Sequence, residues 1–383
     1  MLYHLLYKLS KIYDHIEFFS IFNVFGYITF RAVISFIITF VLCLILFPKF
    51  ITLLNNWKAK QVIRDDGPST HVKKTGTPTM GGLLIIISIL TATAVCGNFK
   101  NTYILIILFA TVSFGLIGFL DDYLKITKKT SDGLHAKFKL ISQIIVSFIV
   151  SYSIYCILGK DFIYITVPFF KNLRINLNTF VFYLPLLGGI KFNLGLILYI
   201  LFSMFIIVGT SNAVNITDGL DGLASGLLIA VASTFGLLSY LSGHEGFAKY
   251  LLIDFLPLSG ELLVYCMALI GGLCGFLWFN CHPASIFMGD TGSISFGGII
   301  GTIALMIKQE LLLAVIGGVF AAEMMSVIIQ ILYFKMTKKR FFKMAPLHHH
   351  FELKGWPESK VIARFWIAGG ILAVIALGTL KLR

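Results

Sequence analysis

The chain has 383 residues, 57% of them hydrophobic and 13% charged, with a net charge of +13 and a mean hydropathy of +0.90. A soluble globule carries about 25% charged residues, so this composition excludes a soluble domain. It also makes nucleic acid a poor partner for the basic excess, because no soluble basic domain is present to bind it.

Apolar runs of near-spanning length predict ten membrane helices, at 27–48, 81–96, 103–120, 138–158, 194–212, 222–242, 262–280, 286–307, 311–334 and 362–381. Alternation at period two does not dominate, which argues against a barrel. The expected fold is therefore an all-α polytopic membrane protein, a single integral domain over 1–383. The connection 159–193 is long enough to hold a short hairpin around Ile163-Tyr164-Ile165-Thr166-Val167. The six cysteines form no CxxC pair and mostly lie inside apolar runs, where they read as small hydrophobes.

Basic residues orient the bundle. The connections after spans 1, 3, 5, 7 and 9, with Lys139 and Arg364 at their edges, carry 19 of the 31 Lys and Arg. The positive-inside rule then puts these connections in the cytoplasm and both termini outside. Every polar motif falls on the same side, so one cytoplasmic-face active site is expected.

Only 18 Asp and Glu occur in the chain, and the notable ones stand at the ends of apolar segments. A carboxylate near hydrocarbon is costly unless paired, hydrated or bound to a cation. Asp121 and Asp122 close the third span, four residues before Lys125 in the first case. Adjacent carboxylates on a helix point about 100° apart, so one can hold Mg²⁺ while the other handles a proton or nucleophile. An interfacial pair balanced by lysines is the plainer alternative. Asn215, Asp218, Gly219, Asp221 and Gly222 crowd one short connection, where the glycines permit close approach of a ligand. A turn with capping Asp residues is the plainer reading there. Asp290 opens the eighth span, as an N-cap or as a Mg²⁺ ligand. Phe287 could stack on a flat base. His348, His349 and His350 cannot all ligate one ion from a helix, and a phosphate contact or proton relay suits them better. Lys74, Lys125 and Lys137 are cations available to an anionic substrate, though topology alone explains most lysines here. Together these groups suggest phosphoryl transfer at the membrane surface. An ion-coupled transporter is the rival from a different class, but it needs charges deep in the bilayer.

The motifs Gly76-Thr77-Pro78-Thr79-Met80-Gly81-Gly82, Leu120-Asp121-Asp122-Tyr123-Leu124-Lys125, residues 215–223 and Met344-Ala345-Pro346-Leu347-His348-His349-His350-Phe351-Glu352 resemble those of the polyprenyl-phosphate N-acetylhexosamine-1-phosphate transferases. The last motif points to the muramoyl-pentapeptide branch, over relatives that use UDP-GlcNAc. The resemblance covers nearly the whole chain. It implies transfer of phospho-MurNAc-pentapeptide from its UDP conjugate to undecaprenyl phosphate within the bacterial inner membrane, with release of UMP. It also implies Mg²⁺, ten spans and often a homodimer. By resemblance, Asp290 is the Mg²⁺ ligand, and Asp121 and Asp122 bind or deprotonate the lipid phosphate. Asn215 and Asp218 lie around the metal and diphosphate, and Gly219, Leu220, Asp221 and Phe287 form the uridine pocket. Lys74, Thr79, Lys125, Lys137, Asn280, Gln330, His348, His349 and His350 are further substrate contacts on the same ground.

Overall fold

A computed structural model describes residues 21–57, 76–128, 133–170, 173–184 and 190–382, with scattered positions before residue 21. Its helices are α1 (Ile28–Asn56), α2 (Gly81–Cys96), α3 (Thr102–Lys128), α4 (Ala136–Leu158), α5 (Leu194–Thr217), α6 (Leu223–Ser242), α7 (Glu245–Leu251), α8 (Leu262–Asn280), α9 (Gly289–Met306), α10 (Glu310–Ile316), α11 (Gly318–Thr337), α12 (Leu347–Glu352) and α13 (Glu358–Gly378). Eight of these segments are long and apolar enough to cross a membrane, and α2 is a shorter apolar helix. The protein is an all-α polytopic membrane protein. The 18-residue α9 opens on Gly289-Asp290-Thr291-Gly292-Ser293, which dilutes its apolar character.

One expected span is corrected. The segment 311–334 is two helices, α10 and α11, that meet at Gly317. Adjacent Gly317 and Gly318 weaken helical continuity there, since glycine is a poor helix interior residue. The last turns of α11 stand clear of the bundle, with residues 331–337 exposed around the whole circumference.

The long connection after α4 holds two small antiparallel ladders. In the first, β1 (Tyr164–Thr166) pairs with β2 (Arg174–Asn176), Ile165 opposite Ile175. In the second, β3 (Val181–Leu184) pairs with β4 (Ile190–Asn193).

Helix α9 is the centre of the bundle. Every residue from Thr291 to Met306 is buried. A helix without a polar face must be enclosed on all sides, and small residues let its neighbours approach. A Cβ on Gly82 of α2 would strike the Gly292 backbone, and one on Gly118 of α3 would strike the Asp290 carbonyl. On the α5 side, Gly297 and Gly301 meet the backbone at Thr210 and Ile207. These contacts pin the N-terminus of α9, and hence Asp290, against the ends of α2 and α3.

Buried ion pairs fasten the far end. Arg31 grips Glu261 with a 2.5 Å contact and donates to the Cys96 carbonyl. Lys308 pairs with Glu310 at 2.7 Å over the rings of Tyr164 and Tyr199. Such pairs fix geometry more than they add stability.

Candidate active site

The opposite end collects the acidic motifs. Segment 78–82 lies along segment 287–288: Phe287 N–H donates to the Pro78 carbonyl, Gly81 N–H to the Phe287 carbonyl and Gly82 N–H to the Met288 carbonyl. Gly289 follows at φ +74, and a Cβ there would meet the Asp122 carboxylate and the Thr79 hydroxyl. Thr79 therefore stands beside the turn that delivers Asp290.

The two adjacent carboxylates face different partners, as their angular separation on α3 requires. Asp122 is buried and turned into the start of α9. It accepts from Asp290 N–H at 3.1 Å, Thr291 N–H at 2.9 Å and the Thr291 hydroxyl at 2.7 Å. It thus serves as an N-cap supplied from another helix, satisfying donors that a helix start leaves open. Asp121 faces the cations. Its Oδ1 accepts from Leu134 N–H at 2.9 Å, and its Oδ2 lies 2.5 Å from Lys125 Nζ.

Asp290 is held from both sides. Lys139 approaches its Oδ2 at 2.6 Å and Lys125 at 2.9 Å. Asn215 donates to its Oδ1 at 2.8 Å and to the Ser293 hydroxyl at 2.9 Å. Asp218 is half-buried in the connection after α5, and its carboxyl has no hydrogen-bond or ion-pair partner among the described residues. Burial, then repulsion from Asp290, Asp122 and Asp221, pushes its pKa up to about 8.

Carboxylate oxygens of Asp121, Asp122 and Asp290 lie within 4.8 Å of one another. Hard oxygen donors at this spacing suit a Mg²⁺-class cation, which takes one or two carboxylates plus substrate phosphate oxygens. Both Asp122 oxygens accept from the start of α9, whereas Oδ2 of Asp121 and of Asp290 face only side-chain ammonium groups among the described residues, so Asp121 and Asp290 are the fitting ligands. Among the described residues, the Asp121, Asp122 and Asp290 cluster has two ion-pairing cations, Lys125 and Lys139. The excess of negative charge agrees with a divalent ion.

The residues expected to meet the nucleotide-sugar form a second group. Asp221 is buried, its Oδ2 accepting from Ala284 N–H and standing 3.1 Å from His282 Nδ1. Asn280 braces the same loops, since its Oδ1 accepts from Gly222 N–H at 2.9 Å and its Nδ2 donates to the Ile286 carbonyl at 2.8 Å. Leu220 is buried, whereas Gly219 and Phe287 are half-buried. The imidazole of His348 lies directly on Gly219. His348 is fully buried, 3.3 Å from Glu323 Oε2. His349 pairs with Glu352 at 2.7 Å. His350 Nδ1 accepts from Lys343 N–H at 3.1 Å. Burial, with Lys354 and Lys343 nearby, lowers its pKa, in keeping with an accepting neutral ring. Gln330 accepts from Phe341 and Phe342 N–H, so it anchors the loop between α11 and α12.

Lys74 lies outside the described residues. Lys137 is exposed and forms no ion pair among the described residues. Lys139, counted in the sequence only as a loop-edge cation, occupies the cluster. A signal for it exists: Lys139, Gln143, Ser147 and Ser151 recur every four residues along α4, and the last three are buried. A polar stripe at helical spacing in an apolar span marks an inward face. Thr291, Ser293, Glu323, His282 and Glu358 are further residues of this end that the motifs did not single out.

Comparison with known proteins gives a consistent set of matches. A model described as glycosyl transferase family 4 matches residues 104–308. Phospho-N-acetylmuramoyl-pentapeptide-transferase signature 1 matches residues 74–86. The chain is 48% identical to the phospho-N-acetylmuramoyl-pentapeptide-transferase of Thermodesulfovibrio yellowstonii, 48% to that of Desulfotalea psychrophila and 49% to that of Desulforapulum autotrophicum, each over 100% of both chains.

Proposed function

The chain belongs to the phospho-N-acetylmuramoyl-pentapeptide-transferase family, and from that premise we propose the reaction of this transferase enzyme. It moves phospho-MurNAc-pentapeptide from UDP-MurNAc-pentapeptide to undecaprenyl phosphate, giving lipid I and UMP in the bacterial inner membrane. The observation that carries the proposal is the convergence of Asp121, Asp290, Asn215, Lys125 and Lys139 at one end of the bundle. The basic excess of the connections at this end supports a cytoplasmic site with external termini.

An oxygen of the lipid phosphate attacks the sugar-linked phosphorus of the donor. The bond from that phosphorus to the bridging oxygen breaks, and UMP departs with the electron pair. A phosphate monoester has a second pKa of about 6, so the acceptor is mostly dianionic at neutral pH and needs little help from a base. Asp121 then serves chiefly to position, holding Lys125 where its ammonium meets phosphate oxygens. Lys125 and Lys139 offset charge that grows on the leaving group. Asp122 keeps Asp290 in register by capping α9. Asp290 and Asp121 would hold Mg²⁺, which when bound would supply further charge neutralisation on the diphosphate. Asn215 orients Asp290, and Asp218 would lie on the side of the metal and diphosphate when these are bound. Gly219, Leu220, Asp221 and Phe287 receive the uridine, with Thr79, Lys74 and the three histidines as further contacts.

Incubation of the purified protein with donor labelled in the sugar should carry label into an organic-soluble lipid product. The same label remaining water-soluble at all acceptor concentrations would sink the proposal. The direct route predicts inversion at the transferred phosphorus, followed with a chiral phosphorothioate donor. Retention would instead require a covalent enzyme intermediate.

A further inference from the structure

One group of side chains beside the donor loop has no part in the scheme above. Glu358 is the first residue of α13, on an element remote in sequence from the acidic motifs. Its Oε1 accepts from the Asp221 main-chain N–H at 3.1 Å. Its Oε2 lies 3.7 Å from His282 Nδ1, and that same nitrogen is 3.1 Å from Asp221 Oδ2. Asp221 Oδ2 also accepts from Ala284 N–H at 3.1 Å. The carboxylate of Glu358 is 9% exposed and that of Asp221 is 2% exposed, while His282 caps them from the solvent side at 40%.

These contacts join three chain segments. Loop 218–222 carries Gly219, Leu220 and Asp221. Loop 281–288 carries His282, Ala284 and Phe287 and runs into Asp290. The start of α13 supplies Glu358, and a second tie runs from Trp366 of the same helix to the Gly222 carbonyl at 3.2 Å. Glu358 holds the Asp221 main-chain N–H, and the Asp221 carboxylate in turn holds His282 Nδ1 and Ala284 N–H of the second loop, so the three segments are tied in series. Hydrogen bonds to a charged group are the stronger class, and a shift of about 1 Å in such support can lower activity a hundredfold.

We propose that Glu358 is a positioning residue for the nucleotide-sugar donor, setting through the Asp221 main chain where loop 218–222 stands relative to Phe287. The inference rests on the reading of this loop as the uridine pocket. A plainer role exists, since an acidic residue in the first turn of a helix favours the helix itself. That role predicts a fold defect and no preference between substrates.

The test uses full-length protein in detergent with Glu358→Ala, Glu358→Gln and Glu358→Asp. KM is measured separately for UDP-MurNAc-pentapeptide and undecaprenyl phosphate, with UMP affinity by calorimetry and thermal unfolding as readouts independent of turnover. Glu358→Ala should raise donor KM and weaken UMP binding about tenfold, the size of one lost hydrogen bond to a charged group. Acceptor KM should stay within about twofold, with Glu358→Asp recovering part of the loss. Glu358→Gln keeps an acceptor for Asp221 N–H and should fall between wild type and Glu358→Ala. Equal rises in both KM values with a lowered unfolding temperature, or unchanged UMP affinity in Glu358→Ala, would overturn the proposal. Absence of turnover and of UMP binding in the wild type would instead remove the uridine-pocket reading beneath it.

Discussion

Replacing Asp122 with Ala should lower stability, while replacing its neighbour Asp121 should not. The Asp122 carboxylate receives three hydrogen bonds, at 3.1, 2.9 and 2.7 Å, from the start of α9. Removing it strands the Asp290 and Thr291 N–H groups in a buried place. N-cap losses reach about 2 kcal/mol, and hydrogen bonds to charged groups are worth about 1.5–3 kcal/mol each. Relief of repulsion with Asp290 and Asp218 offsets part of this. A net cost of about 2 kcal/mol follows, or an unfolding temperature lower by about 2–3 °C for a chain of this size. Asp121 presents a different ledger. Its Oδ2 is paired with Lys125, which is 32% exposed, exposed pairs contribute about 0–1 kcal/mol, and relief of repulsion with Asp290 offsets the one hydrogen bond its Oδ1 accepts, from Leu134 N–H. Asp121→Ala should therefore unfold within about 1 °C of wild type yet lose turnover. Tryptophan fluorescence during heating, in one detergent and one lipid mixture, measures both variants. Equal unfolding temperatures for Asp122→Ala and wild type, or a larger fall for Asp121→Ala, would refute the division of roles.

Other outcomes follow from the same geometry. Asp290→Asn should abolish turnover at saturating Mg²⁺ while the protein stays folded, and full activity in that variant would remove Asp290 from the metal. Lys139→Ala should slow turnover about a hundredfold, as loss of one oriented cation does at a site of developing charge, whereas Lys137→Ala should change it by less than about threefold. Steady-state rates of the two variants decide. Asp218 has a native pKa raised to about 8 by burial and by its acidic neighbours. A raised carboxyl pKa means the native state binds the extra proton, so without a divalent ion stability falls as pH rises from the unfolded carboxylate pKa toward 8. The gain in unfolding temperature on adding Mg²⁺ should accordingly grow between pH 6 and pH 8, and a gain that shrinks over this range would contradict the assignment.

Much of this was legible in the sequence because bilayer length dictates it. The apolar runs correspond to helices among the described residues. The carboxylates at span edges could be recognised as expensive, and the structure brings Asp121, Asp122 and Asp290 together. What stayed hidden depends on long-range contacts. Asp121 and Asp122 are adjacent in sequence, yet one faces lysines and the other caps α9. Only the packing of α3 against Gly289 decides which. Lys137 and Lys139 look equivalent in a basic loop, and the turn of α4 separates them. Asn280 and Gln330 carry amide groups that could greet a substrate, but backbone partners arriving from other segments engage them. Glu323 sits in an apolar helix as an unexplained charge until α12 folds back and sets His348 beside it. The break at Gly317 was similarly masked, because hydropathy is continuous across the two glycines.

The central claim is that one carboxylate cluster transfers the phospho-sugar directly to a lipid phosphate. The measurement closest to it is UMP release by the purified wild-type protein, with the lipid product quantified in parallel. UMP and lipid product should form in equal amounts, only when undecaprenyl phosphate is present, and EDTA should stop both. UMP formed at the same rate without the lipid phosphate, or unaffected by EDTA, would contradict the account.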